Sequence, residues 1–142
     1  MKYDKVIEAA RIAHREHWRV TSDESTGDKQ ASAVTTAWQN SLCSSRIQCE
    51  VPIQKNLNEK IDVVDLSTNT AYEMKASGKN AGHEFFKDIF KVIVYNRNHD
   101  RKLKRLVFLT ERNGISQLDK GLGRAVIESA MEYNIEIILQ EI

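Results

Sequence analysis

Asp62, Glu73 and Lys75 bring two carboxylates and an amine close together in the middle of the chain. They belong to two apolar-rich runs, Lys60-Ile61-Asp62-Val63-Val64-Asp65-Leu66 and Ala71-Tyr72-Glu73-Met74-Lys75-Ala76-Ser77. The polar stretch Ser67-Thr68-Asn69-Thr70 between them predicts a β-hairpin. Side chains alternate faces along a strand, so Glu73 and Lys75 share a face, about 7 Å apart along the backbone. With an even turn centred on Thr68-Asn69, Asp62 falls opposite Lys75 and Val64 opposite Glu73, and directly opposed residues share a face. An odd turn would flip the register and scatter the three. Two acids on one patch suit a divalent cation, which is held by one or two carboxylates plus substrate phosphate and water. Lys75 is then placed to hold or deprotonate an attacking water, or to offset charge in a phosphorane-like transition state. The plain alternative is an acid–lysine pair on a solvated strand face. A lone Glu-x-Lys carries almost nothing; an Asp in matching register on the neighbouring strand makes it more specific.

On these residues the chain resembles the PD-(D/E)XK nuclease superfamily, the fold of restriction endonucleases and many repair and recombination nucleases. The family motif is an acid on the second core strand, then Asp or Glu, any residue and Lys on the third. Ile61-Asp62 and Glu73-Met74-Lys75 match it, with Ile61 where the proline of the motif's name would stand. The family core runs helix, three strands, helix, strand, and the resemblance covers most of the chain in that order. It implies Asp62 and Glu73 as ligands of Mg²⁺ or Mn²⁺, Lys75 as the catalytic lysine and DNA as the substrate. It also implies a dimer or a subunit of a larger nuclease system. The fold expected is α/β, a restriction endonuclease-like mixed β-sheet flanked by helices in α(α)βββαβαβ order. The competing class is a non-catalytic DNA-binding or assembly module that keeps the fold, and third comes an enzyme using the same acids on another phosphate substrate. The intact Asp-Glu-Lys set favours the enzyme.

The elements that must position these residues can be traced along the chain. Residues 3–20 read as an amphipathic helix with Val6, Ala10, Ala13 and Val20 near one side. Residues 21–30 form a polar break containing Gly27, and residues 31–42 a second helix with Val34, Trp38 and Leu42 inward. A first strand covers 47–53, ending at Pro52, and a loop 54–59 leads into the hairpin. The loop 77–82 follows Lys75. A helix over 83–96 is apolar on two sides through Phe85, Phe86, Ile89, Phe90 and Ile93, which predicts packing against the sheet and against a second element. Residues 105–110 read as a buried strand and Asn113-Gly114 as a turn. A helix over 122–133, with Leu122, Val126, Ala130 and Tyr133 inside, and a strand over 135–142 complete a right-handed parallel crossover.

Further residues carry two readings each. Glu50, on the first strand beside the hairpin, either supplements the metal site or is a rim glutamate. The family often adds an acid from the first helix; Glu8, Glu16 and Glu24 are all available. Asp65 falls on the strand face opposite Asp62 and should cap or pair at the surface. His83, Lys87 and Lys91 recur every four residues and make one helical stripe that could hold phosphates, Lys91 most of all. Glu84–Lys87 and Asp88–Lys91 could equally be simple i,i+3 pairs. His14 and His17 lack an acid or cysteine to complete a metal site and are expected at the surface. Arg97, His99, Arg101, Lys102, Lys104 and Arg105 form the densest basic run, either a DNA contact or a solvated loop. Lys79 and Asn80, just after Lys75, are candidates for DNA backbone or groove contacts.

Composition sets the remaining bounds. A chain of 142 residues with 41 % hydrophobic residues and one proline is expected to form one domain, 1–142, with a core that needs no staples. A net charge of +1 leaves any DNA affinity to local clusters. Cys43 and Cys49 make neither a disulfide framework nor a zinc pattern. No signal peptide and no membrane-length apolar run is visible, so a soluble cytoplasmic protein is expected, with no membrane partner.

Overall fold

Apolar residues at period two and near period four become five strands and five α-helices in the computed structural model, which describes residues 4–19, 27–42 and 44–142. Helices α1 (Lys5–His17) and α2 (Gly27–Asn40) lead into strands β1 (Ile47–Pro52), β2 (Lys60–Asp65) and β3 (Thr70–Met74). Helix α3 (Ala81–Asn98) then precedes β4 (Arg105–Thr110). Helices α4 (Arg112–Leu118) and α5 (Gly121–Ala130), with a 3₁₀ turn at Met131–Tyr133, precede β5 (Glu136–Glu141). The strands lie in the order β1-β2-β3-β4-β5; β2 runs antiparallel to both β1 and β3, and β3, β4 and β5 are parallel. The protein is therefore a mixed α/β fold with a mixed sheet.

Each face of the sheet is covered by its own helices. Val6, Ala10 and Ala13 of α1 and Val34 and Trp38 of α2 pack on Val63, Tyr72, Val107 and Leu109. The other face packs Phe85, Ile89, Val92 and Tyr95 of α3, with Leu118 and Ala130, on Val64, Ala71, Leu106, Phe108 and Ile137. Strands buried on both sides read as continuous apolar runs, as β4 does. Two tethers hold the first helix layer: Trp38 Nε1 donates to the Val6 carbonyl at 3.0 Å, and the Tyr72 hydroxyl to Asp4 Oδ2 at 2.9 Å.

The structure corrects several sequence expectations. Helix α2 begins at Gly27, inside the expected break; the rest of that break, residues 21–26, and Val20, Glu24 and Cys43 lie outside the described residues. Asn113-Gly114 is no turn; it lies within α4, because Gly114 is there for close packing. A Cβ on Gly114 would lie 2.9 Å from Thr110 Cγ2 and 3.1 Å from Gly78 Cα. Two helices thus join β4 to β5 where one was expected. Leu122 and Tyr133 are 68 % and 65 % exposed instead of inside. With Phe90 they line an open apolar groove between α3 and α5, which accounts for the second apolar side of α3.

The hairpin register also differs. Val63 pairs with Tyr72, Val64 with Ala71 and Asp65 with Thr70, so the turn is centred on Ser67-Thr68. Asp65 Oδ1 accepts from the Ser67 amide at 2.9 Å and its hydroxyl at 2.6 Å, and Asn69 takes a left-handed φ of 53°. These local bonds fix the turn two residues' worth of register away from the expected one. Parity survives, but Asp62 now faces Glu73 directly.

Candidate active site

Asp62 and Glu73 stand opposite each other near the ends of β2 and β3 and are bonded reciprocally. The Asp62 amide donates to Glu73 Oε1 at 2.7 Å, and the Met74 amide donates to Asp62 Oδ2 at 3.0 Å. Each carboxylate is thus oriented by the neighbouring strand's backbone. Glu73 is 1 % exposed. Both line a cleft of about 710 Å³ together with Lys75, Lys79, Asn80, Asp88 and Lys91.

Helix α3 supplies the countercharge. Lys91, a buried lysine, brings its ammonium into direct contact with Glu73 Oε2, 3.2 Å from Asp88 Oδ1, and donates to the Lys60 carbonyl at 2.6 Å. Glu73 Oε2 is closed to solvent and, apart from that ion contact, has no donor aligned on it among the described residues. Burial pushes the Asp62 carboxyl up to about 6, with the Met74 amide and Lys91 only partly offsetting it. Burial, reinforced by the Asp62 charge, holds Glu73 well above the usual carboxylate range. Asp88 is also raised by burial, against the pull of its bonds to Glu73 and Lys91. Burial opposes the Lys91 charge, but Glu73 and Asp88 outweigh it and hold the ammonium above its usual value. Three acids share one ammonium here, a balance in which like charges and desolvation both favour protonation.

Lys75 completes the cleft from one residue beyond β3. Its amide donates to the Leu109 carbonyl at 2.9 Å and its carbonyl accepts from Thr110 Oγ1 at 2.8 Å. The backbone is pinned, while the half-buried side chain makes no ion pair or hydrogen bond among the described residues. The following loop is clamped as well. Glu111 Oε1 accepts from the Gly78 amide at 3.0 Å, and a Cβ on Gly78 would lie 1.9 Å from Asn113 Oδ1. That docking carries Lys79 and Asn80 to the cleft wall. His14, expected at the surface, is half-buried on the same support, with Nε2 3.0 Å from the Ala76 carbonyl and 3.8 Å from Glu111 Oε2.

The other sequence candidates lie elsewhere. Glu50, at φ 51°, is exposed and accepts from Gln39 Nε2 of α2 at 2.9 Å; it does not line the cleft. Lys87 pairs with Glu59 at 3.3 Å on the surface, outside the cleft. Glu8 and Glu16 line a separate groove beside α1 and α2. Arg101 Nε donates to Asn69 Oδ1 at 2.8 Å, and the Lys102 ammonium to the carbonyls of Asn96 and His99. The Lys104 amide donates to the Asn69 carbonyl at 2.8 Å, and Arg105 pairs with Glu136 at 2.7 Å. Since Arg105 is opposite Thr70 in the sheet, this basic run sits at the far end of β3 from Lys75, about 17 Å away at 3.3 Å per residue.

Asp88 was read from sequence only as a partner for Lys91. A signal was present: Asp88 and Lys91 share the helical stripe of Phe85, Val92 and Tyr95, all buried, so both had to enter the interior.

No protein-family model, no curated protein and no solved structure matches the chain. Among the described residues, no group of three His, Cys, Asp or Glu side chains is already arranged about one metal position. Carboxylate oxygens are the ligands that a hard divalent cation takes. Asp62, Glu73 and Asp88 bring carboxylate oxygens to the cleft, and the Lys91 ammonium contacts the last two.

Proposed function

We propose that the protein is a metal-dependent nuclease that hydrolyses phosphodiester bonds in DNA on a restriction endonuclease-like fold. The observation that carries this reading is the direct opposition of Asp62 and Glu73 across β2 and β3, in a cleft that also takes in Lys75. A bound Mg²⁺ or Mn²⁺ would supply positive charge to the attacking water and the leaving oxygen. Asp62 and Glu73 would hold it, with Asp88 beside them. Lys75, free of competing partners among the described residues, holds the water that attacks phosphorus and offsets charge as the bond forms. Lys79 and Asn80 on the cleft wall meet the backbone of the bound strand, Lys79 by neutralising phosphate.

Incubation with plasmid, linear duplex and branched DNA in Mg²⁺ or Mn²⁺, read on a gel, tests this. Metal-dependent cutting of at least one form is expected, abolished by a chelator. A second reading, a DNA-binding module that no longer cuts, is favoured by one observation: the Lys91 ammonium already neutralises part of the acid cluster. DNA binding without cutting of any form, and without Mn²⁺ uptake in isothermal titration, would establish that reading instead.

A further inference from the structure

We propose that the Lys91 ammonium is a resident stand-in for the divalent cation and that metal entry expels it from the acid pocket. This inference rests on reading the cleft as a metal site, and it adds a built-in competitor that sets how readily the site fills.

The contacts of Lys91 are those of a cation among oxygen ligands. Its ammonium touches Glu73 Oε2, lies 3.2 Å from Asp88 Oδ1 and donates to the Lys60 carbonyl at 2.6 Å. Glu73 is, with Asp62, one of the two acids expected to bind metal, so the ammonium and the metal compete for its carboxylate. The alignment on that oxygen is poor: Oε2 is sealed from solvent yet receives no directed hydrogen bond among the described residues. A spherical divalent ion needs no such direction, and carboxylate oxygens are its ordinary ligands. Charge counting points the same way. Asp62, Glu73 and Asp88 surround the single positive charge of Lys91. Exchange of the ammonium for a divalent ion doubles the positive charge facing these oxygens. The lysine can leave because its charge ends a flexible four-carbon stem and its position lines the open cleft.

Competition of this kind weakens metal binding in the wild-type protein, so removing the competitor should tighten it. Mn²⁺ binding without DNA, measured by isothermal titration at a single pH, compares wild type with Lys91→Met. We expect the variant to bind Mn²⁺ about 10-fold more tightly or better, since a unit charge a few ångströms away is removed. Mn²⁺ should also raise the thermal midpoint of Lys91→Met more than that of wild type. Lys91→Gln, whose amide can still donate to the Lys60 carbonyl, provides a second neutral variant. Wild type that binds Mn²⁺ while both variants bind it equally or more weakly overturns the exchange and leaves the metal site standing. No Mn²⁺ binding by any of the three removes the metal site and the exchange together. Failure of both variants to fold even with millimolar Mn²⁺ also overturns the proposal, because the cation should then replace the missing ammonium.

Discussion

The two ends of β3 carry opposite kinds of charge. At the Met74 end lie buried Glu73 and Asp88 and half-buried Asp62, whose oxygens are held by backbone amides and by Lys91. Beyond Thr70 lie Arg101, Lys102 and Arg105, exposed cations already engaged by Asn69, by carbonyls at the end of α3 and by Glu136. Charge is denser in sequence at the basic end, but the acidic end has its charges taken into the interior and in contact. Desolvation, which shifts a titratable group by making its charged form costly, acts only where the fold removes water. The basic run keeps its water. A charge cluster therefore becomes a candidate site through burial and mutual proximity.

The largest expected effect at the acidic end is on catalysis. Lys75→Ala should lower metal-dependent cleavage by about 10²–10⁴-fold, while Mn²⁺ and DNA affinities change little. A steady-state assay beside a binding titration measures both. Equal loss of DNA binding would make Lys75 a phosphate contact and erase its special place in the comparison.

Stability should respond to pH in an unusual direction. The Asp62 carboxyl is raised from 3.8 to about 6, so between those values the folded protein keeps a proton that the unfolded chain releases. Stability therefore falls as pH rises through about 4 to 6, and the gap amounts to at most about 3 kcal/mol above that window. Asp62→Asn removes the penalty and can still accept from the Met74 amide. Its thermal midpoint should exceed that of wild type at pH 8 and converge with it near pH 4. A constant offset across pH would mean that Asp62 ionises normally in the folded protein.

The support beneath the site should be sensitive to one methyl group. Gly78→Ala places a Cβ against Asn113 and the Gly114 amide, and overpacking of this kind costs about 1–3 kcal/mol. Denaturant unfolding should show that loss, with reduced DNA binding through Lys79. A neutral result would show that the loop can move away from α4 without harm.

The smallest effects concern salt dependence. Lys79→Ala should reduce the slope of log DNA affinity against log salt by about 1, the value of one phosphate contact. Arg101→Ala and Lys102→Ala should leave the slope unchanged. A larger change at the basic end would mean that DNA reaches both ends of β3.

The element order through the hairpin, the parallel pairing of β4 with β5 and the grouping of Asp62, Glu73 and Lys75 on one strand face were legible because period-two alternation survives small errors of register. Turn chemistry was less legible. Asp65 and Asn69 moved the pairing by two residues, which kept the face but exchanged Lys75 for Glu73 as the partner of Asp62. Gly78 and Gly114 looked like loop residues, yet they allow two backbones to meet. The sequence by itself determined which face bears the acids, since a strand has only two. Tertiary structure alone decided what stands over that face: it turned Asp88 and Lys91 of α3 into the pocket, bonded Glu50 to Gln39 outside the cleft lining and left the basic run at the opposite end. Alternation is a local rule written every second residue. Burial and countercharge come from elements distant along the chain, and nothing short of the packed sheet brings them together.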